Sequence, residues 1–539
     1  MICVRGRLAL IVGICLLVGG LAWGRPAFAA ADPYAGLAAP NYQVMARAVR
    51  AIAVSGDPRA AVVIAALRDH HLFTWRYPRP GGGLFIQGAD FTYRDARTGR
   101  PVSGLSFGML RPVMVNDLVR AAIETALGIL DLYSPDAGKR LAAAQAVFKA
   151  ADPGALPAID KALAREKTPA VRHALLQARA AARMNAPGVS IADRLEAIAT
   201  IRARGDLTAR GMLVSLSGQP PAVEAAAHAA VASIDRILAL WQVLENIYYG
   251  ISLGSVLLLA AAGLAITFGV MGVINMAHGE LVMIGAYVTF VVQQIFRADA
   301  PGLFGSSLFV AVPAAFVVAG ALGIVIERTL IRFLYGRPLE TLLATWGLSL
   351  VLQQAVRSLF GATNKDVGTP AWMSGAVHVG GLLLTWNRIV IILFAFLVTG
   401  VLMVVLRYTP LGLRMRAVTQ NRRMAAAMGI RTARIDALTF GLGCGIAGIA
   451  GVALSQIDNV SPNLGQNYIV DSFMVVVFGG VGNLWGTVLS ALTLGVINKF
   501  LEPVAGAVLG KIAVLLLLIV FIQRRPRGLF PVKGRAVET

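Results

Sequence analysis

Cysteine is nearly missing from this chain: 539 residues hold three, Cys3, Cys15 and Cys444. Two sit in an N-terminal leader and one in a glycine-rich apolar run. No pair remains for a disulfide framework, and no spacing suits zinc. Charge is scarce as well, at 14% of residues. The net charge of +21 is spread over both halves, and nowhere do Lys and Arg interleave with aromatics. That excludes a nucleic-acid surface and leaves basic loops as reporters of membrane orientation. His70 and His71 lack acidic partners at metal spacing, and His173 and His228 stand alone on amphipathic helices. They read as surface or packing residues. No Gly-x4-Gly-Lys-Ser/Thr loop exists to cradle nucleotide phosphates. No catalytic constellation and no cofactor motif are visible, so the expectation is a non-enzymatic chain.

What is present is hydrophobicity: 57% of residues, concentrated after about residue 245, while the first half carries many charged side chains. The chain opens with Arg5 and Arg7, an apolar core from Leu8 to Leu21, and the small-residue box Ala27-Phe28-Ala29. Residues 1–29 therefore read as a signal peptide that exports the following domain.

Residues 30–240 show helical periodicity with alanine-rich faces and internal repetition. Arg140-Leu141 followed by Asp152-Pro153 matches Arg194-Leu195 followed by Asp206-Leu207 at the same Arg-to-Asp offset. A less regular copy runs through Ala46-Arg47 and Asp57-Pro58. Each unit reads as helix, Asp-containing turn, helix, with the Asp capping the second helix. Thr168 reads as the cap of another helix at Pro169. Such units predict an exported helical-repeat domain of HEAT-like type. An insertion at about 72–115 alternates like strands at Leu84 to Gln87 and Phe91 to Arg94, which predicts a small β-hairpin. Its aromatics, Phe73, Trp75, Tyr77, Phe85, Phe91 and Tyr93, either pack the hairpin onto helices or meet a partner. The fold class expected is all-α: this domain ahead of a polytopic helical membrane domain over 245–530.

Runs long enough to cross a bilayer lie near 246–270, 275–296, 305–327, 340–361, 388–407, 436–457 and 508–523. Basic segments at Arg328 to Arg337, Arg407 to Arg434 and Arg524 to Arg527 belong in the cytoplasm by the positive-inside rule. Beginning outside and ending inside requires an odd number of crossings. The glycine-rich stretch 469–500 must then contribute an even number, as two short helices joined at Gly479, Gly480, Val481, Gly482 and Asn483 or as a re-entrant pair. The competing explanation for these glycines is a tight helix-packing face.

The segment Gly272 to Leu281 places Asn275, His278, Gly279 and Glu280 inside the hydrophobic half. Polar groups at membrane depth mark a pathway when glycines let the helix stop and restart. The alternative is that Asn275 and His278 cap helix ends and glue helices together. The loop Leu411 to Ile430 is too polar for lipid and contains a short alanine-rich helix stopped by Gly429. It suits a lever docked in a partner's groove, or equally an interfacial helix on acidic lipid.

Residues 272–280, the loop 416–430, Val476 to Thr487 and Arg525 to Phe530 together resemble the permeases of branched-chain amino acid ABC transporters. The resemblance covers about 245–530. The exported domain ahead of it makes the chain most similar to the urea type of that family, the B-subunit permease. What this implies is an ATP-driven importer in the bacterial cytoplasmic membrane, carrying urea or a short amide, with a branched-chain amino acid as the alternative. A membrane-tethered scaffold or sensor is a further alternative. It implies partners: cytoplasmic ATPase subunits, a second related permease subunit as a heterodimer, an extracytoplasmic solute-binding protein and membrane lipid. It implies a solute path at Asn275, His278, Gly279, Glu280, Asp471, Gly479, Gly480 and Gly482, and ATPase coupling at Arg416, Asn421, Ala425, Ala426 and Gly429. The sequence reading adds that the spans offer no fixed cation for a carboxylate, which favours an uncharged solute.

Overall fold

Short polar side chains start the helices of the first unit, Met1–Leu238. Asn116, Ser190 and Asp206 each accept a hydrogen bond from an otherwise unpaired N–H of the first turn, as do Asp136 and Asp152. In this computed structural model the described residues are 34–55, 57–77, 83–88, 91–105, 107–216, 218–526 and 528–530. The leader read at 1–29, with Cys3 and Cys15, lies outside them.

Helices α1 (Tyr42–Val54), α2 (Ala60–Arg68) and α3 (Asp117–Asp131) enclose one apolar core. Next come α4 (Ala137–Ala150), α5 (Leu156–Arg165), α6 (Pro169–Met184), α7 (Ile191–Arg202) and α8 (Leu207–Val214). With the start of α9 (Pro221–Met271) they enclose a second core of Ala, Leu, Ile and Val around Phe148. The repetition is real but differs from the expected helix pair. Each copy carries a third helix, α6 in one and the start of α9 in the other. Arg140 reaches 26 residues on to Glu166, and Arg194 reaches 25 residues on to Gln219. The HEAT-like assignment is therefore not confirmed. Thr168 precedes α6 without a capping side-chain bond, because Arg140 draws on its hydroxyl.

The insertion is larger than the expected hairpin, and the chain is not all-α. Strands β1 (Leu72–Trp75), β2 (Leu84–Gln87), β3 (Tyr93–Asp95), β4 (Pro101–Val102) and β5 (Leu110–Pro112) form an antiparallel sheet in the order β4-β3-β2-β1-β5. Phe73, Phe85, Tyr93 and Leu110 bury one face, with Phe73 edge-on to Tyr93 at 5.8 Å. Strands of two to four residues carry too little alternation to be read singly.

The second unit is Ala239–Thr539. The division falls inside α9, so no linker separates the two regions near residue 240. Six of the described helices are long and apolar enough to cross a membrane: Pro221–Gly269, His278–Asp299, Pro301–Phe333, Trp386–Tyr408, Thr432–Leu454 and Leu484–Arg524. The run expected at 340–361 is a helix, Pro338–Phe360, but does not join them. Its apolar residues are interrupted by Thr341, Thr345, Ser349 and Gln353. Leu464–Gly479 is apolar but short.

The stretch around 469–500 resolves as two arms, Leu464–Gly479 and the start of Leu484–Arg524, joined across Gly480 to Asn483. Leu484–Arg524 itself breaks at Gly506, where φ is 77° and ψ 165°. A Cβ on Gly510 would lie 3.6 Å from the Leu501 Cβ, so the chain doubles back there. A straight helix would hold residues nine apart roughly 13 Å from each other. With both arms, and with Leu484–Arg524 divided at Gly506, the second unit holds nine long helical segments among the described residues. Their ends form two groups. Tyr248 bonds Thr385, Gln293 bonds Gly368, and Arg357 bonds Asn463 at one end. Arg422 pairs with Asp436, Tyr335 bonds Glu327, and Asn483 bonds Phe530 at the other. The basic segments 328–337 and 407–434 meet at that second end, where Arg422 lies over the Tyr335 ring.

Candidate functional site

Gly272 turns the chain out of α9 with φ 67°, a conformation that suits glycine. Residues 273–277 are not helical, and the next helix, α10, is His278–Asp299. The His278 ring lies 3.0 Å from the Ala260 carbonyl oxygen, beside the middle of the apolar run of α9. The restart of the helix at His278 therefore lies beside the middle of that run. His278 Nε2 must carry the proton to donate to that carbonyl, so Nδ1 is left as an acceptor.

Asn275, His278 and Glu280 are each at most 1% exposed. The Asn275 side-chain oxygen accepts from the Ala277 N–H at 3.0 Å, which caps the restarted helix. Met276 N–H donates to the Thr345 hydroxyl at 3.1 Å, and Ser349 donates to Glu280 Oε1 at 2.9 Å. Both partners lie on α12 (Pro338–Phe360), with α11 (Ser307–Thr329) before it in the chain. Asn275 Nδ2, His278 Nδ1 and Glu280 Oε2 have no hydrogen-bond partner. The capping and helix-joining reading accounts for the bonds that are made. One atom of Asn275 caps the restarted helix and one of His278 joins that helix to α9, and the other polar atom of each is unengaged. Thr345 and Ser349 were missed from the sequence, because uncharged hydroxyls on an apolar helix give no signal of their own.

The expected site residues do not form one cluster. A Cβ on Gly279 would lie 2.4 Å from the Gly465 carbonyl oxygen, so Gly279 is a close-packing position. A Cβ on Gly479 would meet the Gly486 backbone at 2.5 Å, while Gly480 and Gly482 carry φ of 102° and 85° in the turn. The competing reading of these glycines, a tight packing face, accounts for their geometry. Asp471 pairs with Lys511 at 2.9 Å. Lys511 also donates to the Asn467 carbonyl at 3.3 Å. That corrects the expectation that the spans hold no fixed cation. Lys511 lies within the final run at 508–523, and its long stem lets an ammonium reach a carboxylate inside an apolar element. The pair lines a cavity of 260 Å³ together with Asp458, Tyr468, Asn498 and Glu502.

At the basic end, α13 (Trp386–Tyr408) leads into α14 (Pro410–Gln420), and α15 (Arg422–Ala427) follows. Asn421 caps α15 by accepting from the Met424 N–H at 3.0 Å, and Gly429 ends it with φ 82°. Arg416 donates to the Leu406 carbonyl, fixing α14 against α13. Ala426 is exposed, but Ala425 is buried against Met415, Val418 and Ile435 and cannot face a partner. Met424 and Met428, 59% and 77% exposed, are the projecting apolar side chains. Sequence reading missed them, and it missed the anchor. Arg422 pairs with Asp436, which is buried on α16 (Thr432–Leu454), and lies 4.8 Å over the Tyr335 ring.

Residues 246–523 match the family described as branched-chain amino acid transport system, permease component. The permease protein LivH of the high-affinity branched-chain amino acid transport system of Salmonella typhimurium is 32% identical over 296 residues. That alignment covers 53% of this chain and 94% of LivH. BraD, the corresponding permease of Pseudomonas aeruginosa, is 30% identical over 54% of this chain and 96% of its own length. The ribose import permease RbsC of Bacillus subtilis is 30% identical over 19% of this chain and 34% of its own. No solved structure matches. These similarities favour the amino-acid branch over the urea type and do not establish urea as solute. The chain belongs to the family of permease components of branched-chain amino acid transport systems.

Proposed function

We propose that this chain is the translocation subunit of an ATP-driven importer whose solute carries charged groups, as a branched-chain amino acid does. The observation that carries the solute reading is the Asp471–Lys511 pair on the wall of the 260 Å³ cavity. Asp471 offers an acceptor to an ammonium, and Lys511 offers a donor to a carboxylate. The basic end with Met424 and Met428 would dock a cytoplasmic ATPase, with Arg416, Asn421 and Gly429 shaping the lever. The opposite end would face outward and receive a solute-binding protein, and a second related permease would complete the path. Residues 34–238 would then lie outside the cytoplasmic membrane.

Urea or a short amide is the second reading. The unengaged atoms of Asn275 and His278 favour it, being an uncharged donor and acceptor at depth. Uptake of labelled leucine and labelled urea by the assembled transporter, each in competition with the other, decides between them. Leucine uptake blocked by excess leucine and untouched by urea is the expected result; the reverse would return the chain to the urea reading. Ala426→Asp should abolish solute-stimulated ATP hydrolysis with insertion intact, since a carboxylate without a partner in a docking groove costs on the order of several kcal/mol. Stimulation at the normal level would sink the lever.

A further inference from the structure

The helix Pro338–Phe360 is amphipathic in the reverse sense. Thr341, Thr345, Ser349 and Gln353, each four residues from the next, are buried. Leu343, Trp346, Leu350 and Val351 between them are exposed. Residues at this spacing form one slowly wrapping stripe. Two members are committed to structure: Thr341 donates to the Arg337 carbonyl at 2.8 Å, and Thr345 accepts from Met276. The others differ. Ser349 holds one oxygen of Glu280 and leaves the second free, and Gln353, one turn further along the stripe, has an unpartnered Nε2. Asn275 Nδ2 is likewise unpartnered. A buried polar atom left unpaired costs about 1–3 kcal/mol, and native proteins rarely leave several in one region.

Resting on the importer reading, we propose that Ser349 and Gln353, with Glu280 across from Ser349, form a solute station at depth. Its ligand presents an N–H donor beside an oxygen acceptor. The N–H meets the free Glu280 oxygen, and the oxygen meets the amide N–H of Gln353. An α-amino acid and a urea both present that pair, and Gln353 is the residue that sets specificity toward the oxygen.

The test places single cysteines at Ser349, Gln353, Leu350 and Val351 of the full chain in the assembled transporter. A small water-soluble thiol reagent is applied with and without ATP. The parent, with Cys3, Cys15 and the buried Cys444, supplies the background, which is subtracted. Ser349→Cys and Gln353→Cys should be modified in at least one nucleotide state, and Leu350→Cys and Val351→Cys in none. Leucine or urea, whichever is transported, should slow the modification several-fold. Gln353→Leu should raise KM for that solute about tenfold with the amount of inserted protein unchanged. No modification at 349 and 353 in any state, or an unchanged KM in Gln353→Leu, would overturn the station. Modification of both positions without protection by either solute supports the lined path and defeats the assignment of its solute instead.

Discussion

The two units of this chain solve helix packing differently. In residues 34–238, alanine, leucine and isoleucine fill two cores, and guanidinium–carboxylate pairs such as Arg140–Glu166, Arg179–Asp160 and Arg210–Asp235 tie helices together. In the second unit the closest contacts are backbone on backbone. A Cβ on Gly451 would lie 2.0 Å from the Val282 carbonyl oxygen, and one on Gly285 would lie 2.1 Å from that of Gly448. Water drives apolar side chains together in the first case. Lipid offers no such drive, so helices there gain by close approach, and small residues permit it.

The sharpest break of this contrast is one added side chain. Gly451→Leu should abolish folded membrane unit altogether, read as loss of monodisperse detergent-extracted protein. Recovery at the parent level would show that the helices can separate freely. In the first unit the same logic runs in the other direction, because there removal of bulk is what hurts. Phe148 is fully buried, with the Arg204 guanidinium 4.4 Å above its ring. Phe148→Ala should cost about 3–5 kcal/mol. Limited proteolysis of the intact transporter should then cut residues 34–238 much faster, with the second unit unaffected. Unchanged cutting would mean this core is dispensable.

The smallest effect is a pH dependence confined to the first unit. The hydrogen bonds from Arg140, and then that from Thr168, outweigh burial and hold the Glu166 carboxyl down from its ordinary 4.5 to about 2. A depressed carboxylate contributes stability that is fully present above pH 4.5 and is lost as pH falls toward 2. Protease resistance of the first unit should therefore decline across that window in the parent. Glu166→Gln should be less resistant at pH 7 and should show less of the decline. An equal decline in both would assign it to other carboxylates.

Much of the fold was legible because its signals are local. Asp136, Asp152 and Asp206 cap helices a few residues away, and the glycines at 272 and 479–482 mark the breaks where backbone regularity ends. The glycines between 479 and 482 also marked where the stretch 469–500 divides into two helical arms. Others were not legible. Ala425 was grouped with Ala426, yet only one of two adjacent alanines on a helix faces outward. Composition cannot say which. The five-stranded sheet was read as a hairpin because its pairing joins Phe73 to Pro112, far apart in the chain. The triple-helix copies were read as pairs because α6 and the start of α9 lack a shared motif.

The sequence by itself determined most of the segments apolar enough for lipid, most helix starts and stops, which loops are basic, and that the chain has no nucleotide loop. Each is a property of neighbours along the chain, set by side-chain chemistry within a few residues. The tertiary structure alone decided that Lys511 neutralises Asp471, that Arg422 reaches both Asp436 and Tyr335, and that Ser349 meets Glu280 69 residues away. It alone turned the polar stripe of Pro338–Phe360 inward. These pairings depend on which faces close packing brings together. A buried polar atom then takes whatever donor or acceptor it finds there, or stays unpaired.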